Sequence, residues 1–94
     1  MYDLDLDISH FPSQKDAEIW EITVGDLLRK VASENPSTIA MIDILENGDC
    51  GKSWTYSELF AQCERLAQSL ATRFKKNERV VVWAPNIPEW VIME

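Results

Sequence analysis

Thr55 and Glu58 stand three residues apart, immediately ahead of a run in which Leu59, Cys63, Leu66, Ala67, Leu70 and Phe74 recur at steps of three or four. A threonine in that position can accept the free amide of the third helical residue. A glutamate there can accept the amide of the threonine in return, so the pair fixes where a helix starts. Trp54 and Leu59 flank the start in hydrophobic-staple positions. From Thr55 to about Phe74 the pattern predicts roughly 30 Å of helix with one apolar stripe. Other elements must cover that stripe.

The sequence offers several on either side. Thr23 can cap the amide of Asp26, with Ile22 and Leu27 placed as a staple, and Val24, Leu27, Leu28, Val31 and Ala32 repeat at helical spacing until Asn35-Pro36 stops them. Ile39-Ala40-Met41-Ile42-Asp43-Ile44-Leu45 predicts a strand with much of both faces covered. Asn47-Gly48 is the strongest turn signal in the chain, and Lys52-Ser53-Trp54 is expected to return antiparallel as a hairpin. Val80-Val81-Val82-Trp83-Ala84 is a continuous apolar run, expected as a buried parallel strand reached by a right-handed crossover. Pro85 ends it, and Asn86-Ile87-Pro88-Glu89 predicts a further helix start.

Ahead of these lie an alternating run, Tyr2-Asp3-Leu4-Asp5-Leu6-Asp7-Ile8, which suits a strand or a tail, and a connector over residues 9–22 anchored by Ile19, Trp20 and Ile22. The organisation expected is a connector over 1–22 and the beginning of a larger α/β domain over 23–94. The last helix has less than two turns before Glu94, and Trp90, Val91, Ile92 and Met93 are apolar, so the reading is of a fragment cut within a helix.

Charge excludes one class of function. The formal net charge is −7, and residues 1–47 carry ten acids against three bases while residues 48–94 carry six of each. Neither half offers the basic field that nucleic acid requires. Arg73, Lys75, Lys76 and Arg79 form a basic cluster expected at a helix end, where cations complement the dipole. The competing reading is a docking patch for phosphate, coenzyme A or lipid headgroups. Cys50 and Cys63 have neither CxxC nor metal-ligand spacing, and no basic leader or membrane-length apolar run is visible, so a cytoplasmic location is expected, with peripheral membrane contact left open.

Gly51-Lys52-Ser53 resembles the end of a phosphate-binding loop, but the first glycine of GxxxxGK[ST] would fall at Glu46, and Asp49 lies inside the loop. Two carboxylates would face a polyphosphate, so the segment reads as part of a polar hairpin turn. A calcium loop starting at Asp3 fails too, because Ile8 and Gln14 stand where glycine and glutamate belong. Ser9-His10 has no hydrolase context, Cys63 reads as packing, and Trp54, Trp83 and Trp90 read as core anchors. No residue of the chain is assigned a catalytic, cofactor-binding or metal-ligating role.

Four stretches in order carry a family resemblance: Thr23-Val24-Gly25-Asp26-Leu27-Leu28, Asn35-Pro36 through Ala40, Trp54-Thr55-Tyr56-Ser57-Glu58-Leu59, and Val80 through Trp90. Together they resemble the opening of the adenylate-forming enzymes, the superfamily of acyl- and aryl-CoA synthetases, luciferases and peptide-synthetase adenylation domains. Pro85-Asn86-Ile87-Pro88-Glu89-Trp90 looks more like the CoA ligases than the amino-acid-activating domains. Lys75-Lys76-Asn77-Glu78 departs from the family, which usually carries glycines there, and leaves Asn77 to take the left-handed conformation.

The resemblance implies a parent enzyme, an AMP-forming acyl-CoA ligase, that joins a carboxylic acid to ATP with magnesium and then transfers the acyl group to coenzyme A. The phosphate loop, ribose-binding acid and catalytic lysine of such enzymes lie outside these residues, so the chain alone is expected to be inactive. The remainder of the polypeptide is expected to pack on Trp90, Val91, Ile92 and Met93. Asn86, just beyond the expected parallel strand, is read as a backbone cap, with a ligand-facing role as its alternative. A stand-alone α/β interaction module without catalysis is the alternative function, and a degenerate nucleotide-binding module using Gly51-Lys52-Ser53 is a third.

Overall fold

The computed structural model describes residues 7–13 and 15–94. Most of the alternating run at residues 2–8, and the Asp3 and Asp5 of the rejected calcium loop, lie outside the described residues. No helical turn follows Ser13 among those described.

Helix α1 (Val24–Glu34) starts where the sequence places it: the Thr23 hydroxyl oxygen accepts the Asp26 amide at 3.1 Å. Asp26 also takes the Arg29 guanidinium at 2.7 Å, setting an acid near the positive end of the helix. Ile22 and Leu27, expected as a staple, are both exposed. The Asn35 amide closes the last turn on the Val31 carbonyl at 2.8 Å, and Pro36 follows.

Strands β1 (Ile39–Ile44) and β2 (Cys50–Thr55) form the expected antiparallel hairpin, pairing Ile39 with Thr55 and Ile44 with Cys50, with irregularities between Ile39 and Met41 and between Ile42 and Ile44. Gly48 turns the chain at φ +85°, a conformation that costs glycine little and other residues much. The Asn47 side-chain oxygen accepts the Asp49 amide at 3.1 Å and so reinforces the turn.

Helix α2 (Tyr56–Ala71) follows β2 without a break, because Thr55 is both the last strand residue and the helix cap. Two of its otherwise unpaired first amides are satisfied from the turn after α1: Tyr56 donates to the Thr38 carbonyl at 2.9 Å and Ser57 to that of Pro36 at 3.1 Å. The helix stops short of Phe74. The Thr72 hydroxyl donates to the Ser69 carbonyl at 2.7 Å, and the Arg73 and Phe74 amides share the Leu70 carbonyl, which closes the last turn. The basic cluster therefore falls beyond the helix rather than in its last turn. Asn77 adopts the left-handed conformation at φ +68°, as expected without glycines, and the Glu78 carboxylate accepts the Lys75 amide across the same turn.

Helix α3 (Pro88–Met93) ends the described chain. Ala32 of α1, Trp54 of β2 and Leu59 of α2 are buried together as a thin core, with Leu28, Val31, Cys63 and Leu66 half-buried around it.

Two expectations are corrected. Residues 80–84 form no strand among the described residues, since the one sheet there is β1–β2, and Val81 and Trp83 are 86% and 97% exposed rather than buried. A strand exists only by pairing, and among the described residues no backbone pairs with this run. β1 is likewise less covered than its composition predicts: Ile39, Ile42 and Ile44 are exposed, because the packing helices reach only part of the hairpin.

Candidate functional site

Gly51-Lys52-Ser53 lies inside β2, past the turn. A Cβ on Gly51 would stand 2.9 Å from Leu45 Cδ2 and 3.4 Å from the Asp43 carbonyl oxygen, so the glycine admits the close approach of the partner strand. The Lys52 ammonium rests 4.9 Å from the centroid of the Trp54 ring. An extended, paired backbone cannot wrap a phosphate, and the glycine has a packing role that accounts for it.

The larger concavity lies between α2, residues 81–84 and α3. It encloses about 680 Å³ and is lined chiefly by Leu66, Val82, Trp83, Trp90 and Ile92, with Arg65 and Glu89 as its charged walls. One long-range contact ties the short α3 to α2: the Cys63 thiol donates to the Ile92 carbonyl at 3.8 Å. Burial pushes the Cys63 thiol up from its ordinary value, so it stays protonated and keeps that weak donor. This residue packs, as its place on the apolar face predicts. The apolar residues 90–93 are legible in the sequence but the groove is not, because its other wall, residues 81–84, has the composition of a strand buried in a sheet.

A smaller hollow of about 190 Å³ separates β1 from the start of α3, between Met41, Asp43, Asn86, Ile87 and Val91. Asn86 lines it and caps no helix: Ile87 occupies the cap position and no side chain bonds there, which corrects the capping role expected of Asn86. Proline at the first helical position removes one amide that a cap would otherwise satisfy. Trp90 and Trp83 are exposed, unlike the buried Trp54, so core anchoring holds for only one of the three tryptophans.

Neither concavity gathers a nucleophile with a base. Among the described residues no group of three His, Cys, Asp or Glu side chains is placed to hold a metal, and no helix is long and apolar enough to cross a membrane. Both cysteines are free.

What the fold defines is a small α/β unit, a two-stranded antiparallel hairpin packed by amphipathic helices. The chain belongs to the AMP-binding enzyme family, whose model matches residues 28–94, from within α1 through α3. It is 32% identical over 73 residues to the mitochondrial medium-chain acyl-CoA ligase ACSF2 of Danio rerio, an alignment covering 77% of this chain and 11% of that protein. It is 39% identical over 62 residues to acetyl-coenzyme A synthetase 1 of Candida albicans and 36% identical over 62 residues to the acetyl-coenzyme A synthetase of Emericella nidulans, in each case 65% of this chain and 9% of the relative. The chain thus spans about a tenth of the length of these relatives. No solved structure gives a significant match.

Proposed function

We propose that this chain is the N-terminal part of an ATP-dependent, AMP-forming acyl-CoA ligase, inactive by itself. Residues 1–22 are a connector and residues 23–94 open its adenylation domain. The observation that carries the reading is the family match over residues 28–94, from within α1 across the hairpin and α2 to α3. In the whole enzyme a carboxylate oxygen attacks the α-phosphorus of magnesium-bound ATP and pyrophosphate leaves. The thiol of coenzyme A then attacks the acyl carbon, and AMP leaves with the bonding electrons. The names of the relatives favour an aliphatic acid over an aromatic one. This segment contributes a frame: the Thr55–Glu58 cap locks the hairpin to α2, and α2 with α3 presents the apolar groove. Two free cysteines, one of them exposed, suit a reduced cytoplasmic setting.

The test is to read the coding DNA past the codon for Glu94, express the longer protein, and measure pyrophosphate exchange with acetate, octanoate and benzoate. A frame that continues through a Ser/Thr/Gly-rich loop followed by lysine, with acid-dependent exchange, is the expected result. Exchange by the 94-residue chain alone refutes its inactivity. A frame that ends directly, with a stable 94-residue monomer, refutes the ligase and leaves an interaction module.

A further inference from the structure

Arg73, Lys75, Lys76 and Arg79 bring four of the chain's nine bases into one short loop, with Glu78 as the acid among them. The helix dipole does not account for them. Helix α2 ends at Ala71 with no base in its last turn, and the dipole's field fades within that turn. Ion pairing does not account for them either. The ion pairs among the described residues are Arg29–Asp26 and Lys30–Glu34, and the Glu78 carboxylate is turned onto the Lys75 amide. That bond and the left-handed Asn77 shape the loop as a turn. Residues 73–79 are all exposed, and the Phe74 ring, 42% exposed, stands among the cations.

We infer that the loop from Arg73 to Arg79 seats the protein on an anionic membrane surface, an inference that stands apart from the ligase reading. Lipid headgroups supply the negative charge that the four cations lack, and the boundary between headgroups and acyl chains takes the aromatic ring. A soluble phosphate compound fits less well. Residues 73–79 line neither of the two concavities, so nothing walls such a ligand in, and it leaves Phe74 uncovered. Nucleic acid fits less well too, because a strand needs a basic track, and residues 48–94 outside the loop carry two bases against five acids. A membrane asks for one patch only. Its field decays over about 8 Å at physiological salt, so acids held farther out oppose the contact weakly despite the net charge of −7.

Co-sedimentation of the chain with vesicles tests this directly. Binding is expected to vesicles of phosphatidylcholine mixed with phosphatidylserine, to vanish on phosphatidylcholine alone, and to fall as salt rises. Each basic residue removed is expected to weaken it roughly five-fold, so Lys75→Ala, Lys76→Ala and Arg79→Ala together should cost on the order of 100-fold. Those side chains bond to nothing in the fold, so the triple variant should melt with the parent chain. Lys52→Ala, in β2, is expected to leave binding unchanged. Phe74→Ala should weaken binding at every salt concentration. No binding to the mixed vesicles overturns the inference, as does equal binding by the triple variant or an equal loss in Lys52→Ala. Displacement from the vesicles by millimolar inorganic phosphate, with no effect of Phe74→Ala, overturns it by making a soluble phosphate the ligand. Tighter binding to single-stranded RNA than to the vesicles overturns it by making nucleic acid the partner.

Discussion

Thr55 and Glu58 satisfy each other's backbone: the Thr55 hydroxyl accepts the Glu58 amide at 3.2 Å, and the Glu58 carboxylate accepts the Thr55 amide at 2.9 Å. Because Thr55 also ends β2, this exchange fixes the strand to the helix as well as starting the helix. Thr55→Ala is expected to cost about 1 kcal/mol in urea unfolding. Glu58→Gln, which keeps an acceptor, is expected to cost less than Glu58→Ala. The two alanine substitutions should be non-additive in a double-mutant cycle, since either one breaks the same pair. Strict additivity would show that the cap is not cooperative.

The hairpin turn isolates a backbone effect. A Cβ at Gly48 would meet no atom within 4 Å, yet its φ is +85°. Gly48→Ala therefore carries a conformational cost with no steric one, expected at about 1 kcal/mol. Asn77, at φ +68°, is the complementary case. Asn77→Val is expected to destabilise by more than Asn77→Ala, and Asn77→Gly to stay within about 0.5 kcal/mol of the parent chain. Thermal melts of the four variants rank these directly, and a neutral Gly48→Ala would refute the turn geometry.

These features were legible because each signal and its partner lie within four residues. The caps at Thr23 and Thr55, the turn at Asn47-Gly48 and the left-handed Asn77 all follow from local chemistry. What was not legible depends on residues far apart. The run at 80–84 states through its apolarity that it needs cover, but not which backbone supplies it, so burial was expected where Trp83 is exposed. Gly51-Lys52-Ser53 reads as part of the hairpin turn, whereas it lies within β2, because the neighbour that Gly51 admits, Leu45, approaches from across the hairpin. Asn86 read as a cap because sequence position alone does not distinguish it from Ile87, which takes that place. The docking of α3 on α2 brings Cys63 and Ile92 together from 29 residues apart.

The thin core makes one substitution decisive. Leu59 is one of three buried apolar residues among those described, with Ala32 and Trp54. Leu59→Ala removes its transfer energy and leaves a cavity, at a cost of about 2–5 kcal/mol. A unit of this size holds only about 3–5 kcal/mol in reserve, so cooperative melting should disappear. Leu59→Met, which conserves volume, is expected to melt cooperatively at a slightly lower temperature. A cooperative Leu59→Ala melt near that of the parent would show that the core lies elsewhere.

Cys63 gives the chain a dependence on alkaline pH whose sign follows from burial. Burial holds its thiol above the ordinary value in the folded chain, while unfolding returns it to solvent. Between those two values the unfolded chain has released the proton and the folded chain retains it. The unfolded state then binds fewer protons, so stability falls as pH rises through the ordinary thiol range and levels off above the folded value. Cys63→Ala removes that contribution, and the difference between the two proteins in stability against pH isolates it from other titrating groups. Alkylation offers a second reading of the same protection. Exposed Cys50 is expected to react with iodoacetamide ahead of the half-buried Cys63, and Met93→Ala, which thins the α3 side of the groove, should narrow the gap. Equal rates in the parent chain, with an unchanged pH profile for Cys63→Ala, would mean that α3 does not stay docked on α2.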